Sequence, residues 1–196
     1  DPELTGAWPD ARATIIAAFV GIDDYVRVLR EGRGPADIFV ASALGDARRV
    51  AAILEKDARL AAGRDHGLLT TLQCCGGSRL GASRPKVAEG LLRCARMLVD
   101  AGADVNARTR SYAHDVSVSY FVIRSGQVAM LEYLLGRGLD PTAAIAPAAW
   151  DGRADILDLL IRHGAKINEA KDAERPVLNE LVRWGRFAHA RLLVAR

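Results

Sequence analysis

Residues 152–168 read GRADILDLLIRHGAKIN, and the spacing inside this stretch decides the architecture. Apolar residues stand four, five, eight and nine positions after Gly152 (Ile156, Leu157, Leu160, Ile161), and a second glycine, Gly164, stands at twelve. On an α-helix those offsets fall on one face, and a glycine just past the last turn is a common left-handed terminator. The same spacing recurs in residues 90–106 (GLLRCARMLVDAGADVN) and 126–141 (GQVAMLEYLLGRGLDP). Weaker copies start at Gly21 (Tyr25, Val26, Leu29), Gly45 (Val50, Ile53, Leu54) and Gly185 (Ala190, Leu193, Val194), so about six units are expected.

Upstream of every opening glycine except Gly90 lies a second short apolar stretch: Ile15 to Ala18, Ile38 to Ser42, Tyr120 to Ile123, Ile145 to Ala149 and Leu178 to Val182. Each unit is therefore read as two short helices. Helices of this length are marginal alone, and neither can bury its stripe without neighbours, so the units must stack. Composition agrees: the 196 residues are half apolar and only 6 % aromatic, with abundant Ala, Leu and Arg, which favours helices over a β-sandwich or barrel.

These residues resemble the ankyrin repeat, a unit of about 33 residues with a β-turn and two helices. The family's Gly-Ala-Asp-Val-Asn-Ala signature is matched by residues 102–107 and, less literally, by Gly164-Ala-Lys-Ile-Asn168. Residues 65–73 (DHGLLTTLQ) are similar to the opening half of the unit. The resemblance implies an all-α solenoid of about six helix pairs, a single domain over residues 10–196 after a leading segment 1–9. It also implies a role in recognising other proteins.

The departures carry information. Opening glycines are 24, 45, 36, 26 and 33 residues apart, so the repeat lengths are irregular. The two short intervals predict trimmed fingers before Gly45 and Gly152. The long one holds an insertion at residues 76–87, expected at the helix-helix turn; Ser83 with Pro85 looks like a helix start, so part of it would lengthen the second helix. The last stripe runs through Leu193 and Val194 without a fully polar capping unit. An excerpt of a longer repeat array, or a fraying end, is expected. The start at Asp1 without Met is compatible with removal of a leader or a preceding domain.

Several chemistries lack their signatures. Cys74, Cys75 and Cys94, with His66, do not have zinc-ligand spacing, and the cysteines sit at small or apolar repeat positions. Neither His66 nor His114 is fixed beside a thiol as a base, His163 suits a helix C-terminus, and His189 falls on an apolar stripe. The acid pairs Asp23–Asp24 and Asp155–Asp158 read as helix surface. No phosphate-binding glycine motif is present. No enzymatic activity, metal or cofactor is therefore expected. Only four of the 27 basic residues are Lys, but 24 acids are interspersed, so the surface is mixed and nucleic acid is not an expected partner. No apolar run reaches the roughly 20 residues of a membrane span. Three cysteines suit a reducing compartment, and the cytoplasm is the expected location.

The candidate site comes from the implied geometry. In ankyrin-like stacks the fingers and first helices line a concave groove, and the two residues before each opening glycine point into it. Those residues are Arg124-Ser125, Trp150-Asp151 and Arg183-Trp184. Arg and Trp are enriched at binding hot spots. The finger at residues 108–115 would add Arg110, Tyr112 and His114 to the edge. The competing reading packs the tryptophans between adjacent first helices. The expected function is protein or peptide binding through the concave face; the alternative is a targeting or regulatory segment of a larger enzyme.

Overall fold

In the computed structural model, residues 13–31, 36–65, 68–111, 114–172 and 175–196 are described. They form six antiparallel helix pairs in chain order: α1 (Ala13–Val20) with α2 (Asp23–Arg30), α3 (Ile38–Leu44) with α4 (Ala47–Leu54), and α5 (Thr71–Gly77) with α6 (Pro85–Asp100). Next come α7 (Val118–Arg124) with α8 (Val128–Leu135), α9 (Ile145–Trp150) with α10 (Ala154–Arg162), and α11 (Val177–Arg183) with α12 (Phe187–Val194). Successive first helices pack side by side, α1 on α3, α3 on α5, α5 on α7, α7 on α9 and α9 on α11. The second helices α4, α6 and α8 form a parallel row behind them.

The turn inside five of the six pairs is made by a glycine at positive φ: Gly21, Gly45, Gly126, Gly152 and Gly185, with φ between +65° and +84°. A side chain there would be strained, which is why the opening letter of each unit is glycine. Gly102, Gly138 and Gly164 end the second helices in the same conformation. Two first helices, α3 and α5, start on side-chain caps, whereas Ser117 at the start of α7 makes no cap hydrogen bond. Asp37 accepts from the Val40 amide, and Thr70 with Gln73 forms a reciprocal capping box.

One continuous core runs the length of the stack through Ile15, Leu72, Leu91, Leu98, Ile123, Leu131, Leu134, Ile145, Leu157 and Leu181. Each such side chain is worth roughly 1.5–3 kcal/mol relative to exposure. The fingers are short antiparallel ribbons. β1 (Arg108–Ser111) pairs with β2 (His114–Ser117), and β3 (Lys171–Asp172) with β4 (Arg175–Pro176). No strand precedes α9, as the 26-residue interval predicts. The trimmed finger expected before Gly45 and the leading segment 1–9 lie outside the described residues.

Gln73, on α5 and fully buried, ties that helix to the first finger. Its Nε2 donates to the Ala107 and Val116 carbonyls at 3.4 Å, and its Oε1 accepts from the Thr70 amide at 2.9 Å and from the Thr109 hydroxyl at 2.6 Å. The insertion ends α5 at Gly77 and continues through a turn into α6, whose first residue is Pro85. It therefore lengthens the second helix to 16 residues.

One glycine is a correction. Gly90 does not open a helix: it lies inside α6, where a Cβ would stand 2.4 Å from the Gly45 carbonyl oxygen. Glycine is there so that α6 can touch the α3–α4 turn backbone to backbone. Gly90→Ala should lower the unfolding free energy by about 1–3 kcal/mol, because a backbone oxygen cannot step aside. Gly136→Ala, at a right-handed φ of −65° with ordinary contacts, should raise it by about 0.4–1 kcal/mol. Urea midpoints of the two variants check this.

Acid should loosen the stack from its second-helix side. Hydrogen bonds from Arg153 pull the Asp155 carboxyl down to about 2, and Arg196 lowers Asp158 in the same way. Groups depressed in the folded state contribute in full above the ordinary carboxylate value of 3.8 and lose that contribution as pH falls through the folded value. Stability measured against pH should be flat above about 5 and fall below about 4, and Asp155→Asn should flatten the fall.

Candidate functional site

The expected row of binding residues comes from the C-terminal turns of α7, α9 and α11. Arg124 reaches across to the next unit and forms an ion pair with Asp151. Trp150 is half-buried against the core, and its indole N–H donates to the Asp172 carboxylate on β3 at 2.5 Å. The Arg186 guanidinium lies 5.8 Å from the centre of the Trp150 ring. In the last unit Trp184 stands 65 % exposed, with the Arg183 guanidinium 5.8 Å from its ring centre. Its indole N–H donates to Glu180 at 3.3 Å, one helical turn back.

Glu180 organises this end of the row. Its carboxylate also accepts from Arg175 at 3.2 Å and lies 3.7 Å from the Arg183 guanidinium. Burial pushes the carboxyl up, but the hydrogen bonds from Arg175 and Trp184 and the two arginine charges more than offset this and hold it below its usual range. The group is therefore a fixed anion at neutral pH that keeps Arg183 and Trp184 in place.

The structure thus gathers the expected residues into two clusters. Arg124, Asp151, Trp150, Asp172 and Arg186 link the fourth, fifth and sixth pairs; Arg175, Glu180, Arg183 and Trp184 form the other. Arg110 is exposed on β1, and among the described residues no hydrogen bond or ion pair joins it to the row. His114 is placed only by its backbone, opposite Ser111 in the ribbon, and Tyr112 lies outside the described residues. Asp172, Glu180 and Arg186 were not singled out from the sequence. Glu180 had a signal, three and four residues before Arg183 and Trp184 on one helix. Asp172 and Arg186 had none, since each meets Trp150 only through the fold.

The remaining chemistry-bearing residues are held structurally. Cys74, Cys75 and Cys94 are buried thiols. Burial, the Cys94 hydrogen bond and the neighbouring thiols raise the Cys75 thiol well above its usual range, and its sulfur donates to the Leu91 carbonyl at 3.1 Å. His66 lies outside the described residues. His163 is exposed at the C-cap of α10, and His189 is wedged against Gly152 with a buried Nδ1. Asp155 and Asp158 are each held by an arginine, Arg153 and Arg196. Among the described residues no three His, Cys, Asp or Glu side chains converge on a metal position, and no helix is long and apolar enough to cross a membrane.

No protein-family profile matches the chain. A segment is 33 % identical over 85 residues to mouse ankyrin repeat and SOCS box protein 14, covering 38 % of this chain and 14 % of that protein. Another match, 33 % identical over 86 residues, is to bovine dynein axonemal heavy chain 12, covering 39 % of this chain and 24 % of the relative. The matched stretches are thus less than a quarter of these curated relatives. Among solved structures, the ankyrin repeat domain of human ASB11 aligns over 82 % of this chain and 69 % of its own, with a TM-score of 0.58 at 19 % identity. Six stacked helix pairs, left-handed glycine turns between their helices, short fingers between units and this likeness give the chain the ankyrin-repeat fold.

Proposed function

We propose that the chain is a protein–protein interaction module that binds another protein or peptide through the concave side of its stack. Arg124, Trp150, Asp151, Arg183 and Trp184 form the contact row, with Arg110, Tyr112 and His114 at its finger edge. Such stacks are generally interaction modules, and the reading assigns this one no catalytic step, no cofactor and a cytoplasmic setting. One continuous repeat domain over residues 10–196 carries the surface.

The observation that supports this most is Trp184. A large aromatic side chain stands mostly in water, yet Glu180 fixes its indole N–H and Arg183 lies over its ring. A rigid, exposed Trp beside an Arg loses little rotamer freedom on binding and offers much area, which is how hot spots work. Trp150 is different in kind, because Asp172 and Arg186 already use its edge and face.

A second reading, the targeting or regulatory segment of a larger enzyme, has one observation in its favour: the matched stretches are small parts of both curated relatives. A reading frame that runs on into a catalytic domain decides for it.

The first reading is tested with three baits, the wild-type chain, Trp184→Ala and Arg110→Ala. At least one captured protein should fall about tenfold or more with Trp184→Ala while the melting temperature stays put, a loss of about 1.4 kcal/mol or more in binding. Identical capture by all three baits overturns the row as a contact surface. Trp150→Ala should instead lower the unfolding free energy, by about 1–3 kcal/mol, since it leaves Asp172 without its donor and a gap against the core.

A further inference from the structure

Leu68 holds a conformation that this chain otherwise reserves for glycine. Among the described residues the left-handed backbone belongs to glycines with one exception, Leu68 at φ +62°. A side chain there is strained, because its Cβ crowds the following carbonyl oxygen. Burial does not offset the strain, since the leucine is 56 % exposed. The conformation is imposed by neighbours. Leu68 lies inside the bridge that pairs Arg64 with Thr70, and its amide donates to the Asp65 carbonyl at 3.0 Å. Its own carbonyl accepts from the Arg64 guanidinium at 2.8 Å and from the Thr109 hydroxyl on β1 at 2.9 Å. The fold thus holds an apolar side chain out in water on a strained backbone, and strain kept at an exposed position points to contact with something else.

The charge beside it is mostly positive. Arg64 also donates to the Arg108 carbonyl at 3.0 Å, which ties the Leu68 turn to the first finger. Arg108 and Arg110 stand exposed on either side of buried Thr109. The Arg108 guanidinium goes to a backbone carbonyl, that of Asp115, at 2.8 Å, and Arg110 has no partner among the described residues. Asp115 is the one carboxylate on the two strands; it faces Arg110 in the register without forming an ion pair. Asp104, before the strand, accepts from the Asn106 amide.

We propose that Leu68, Arg108 and Arg110 anchor an acidic, extended segment of a partner protein, with an apolar side chain of the segment on Leu68 and its carboxylates on the two arginines. The inference rests on the interaction-module reading and adds to it the chemistry of the partner and a contact point outside the Arg124–Trp184 row. Charge complementarity selects the occupant, because a basic segment is repelled where an acidic one is paired. The fixed backbone leaves little freedom to lose on binding.

The test selects a random-peptide library displayed on phage against the full chain and measures Kd for the enriched peptides. They should carry an excess of Asp and Glu around an apolar residue. Their Kd should rise about tenfold or more with Leu68→Gly and with Arg110→Glu. It should keep its wild-type value with Arg93→Glu, the same charge change on the exposed side of α6. Leu68→Gly should nonetheless melt no lower than the wild-type chain, since glycine accepts the left-handed backbone. A fall of about 3 °C or more makes Leu68 a structural residue and overturns the proposal. No enrichment, enriched peptides without acidic excess, or unchanged Kd with both variants overturns it as well. If the peptides fail on Trp184→Ala alone, the concave row stands and only the finger anchor falls. Mixed-sequence single-stranded RNA that binds the chain and is lost with Arg110→Glu, while no peptide is enriched, would give the surface to nucleic acid and also overturn the proposal.

Discussion

Among the described residues no helix can bury its apolar stripe by itself, and no pair can bury both of its stripes within the pair. Most helices have six to nine residues, below the length at which a helix persists alone in water. What holds each one is the seam it shares with the units before and after it. That seam runs unbroken from Ile15 to Leu193. The left-handed glycines are the geometric condition for it, because in five of the six pairs they turn the chain tightly enough to lay each first helix beside the first helix of the next unit. The rest of the molecule, including fingers and the arginine-rich edge, is what the seam leaves outside.

Much of this was legible in the order of letters. The offsets after Gly126 and Gly152 encode helix, turn and terminator, and the positive φ values at Gly126, Gly138, Gly152 and Gly164 are the conformations those letters imply. Gly90 misled because glycine has two uses that look the same in one dimension. At Gly152 it supplies a backbone conformation, whereas at Gly90 it supplies the absence of a Cβ beside the Gly45 carbonyl. Only the partner, 45 residues away in sequence, tells them apart. The start of α6 is legible because Pro85 carries its own local signal; Ser83 does not cap it, since Arg84 holds the cap position and no side chain bonds there.

The candidate site was legible in its residue types and less so in its connections. Arg124, Trp150, Asp151, Arg183 and Trp184 could be picked out as a register row, but which of them are already engaged could not. Arg124 to Asp151 joins adjacent units, and Trp150 to Asp172 joins a first helix to the next finger. Both contacts depend on the distance between units, which no local pattern encodes. Trp184 and Glu180 are the exception, since one turn of one helix brings them together. The row is thus part tie between units and part open surface, with the open part concentrated at Arg183 and Trp184.

The buried amide of Gln73 has a mechanical meaning. It clamps α5 to the first finger, whereas the last pair, α11 and α12, packs chiefly on the unit before it. Pulled from its two ends, the molecule would lengthen like a spring with one stiff coil, giving way first at its last turn and keeping the Gln73 region wound until last.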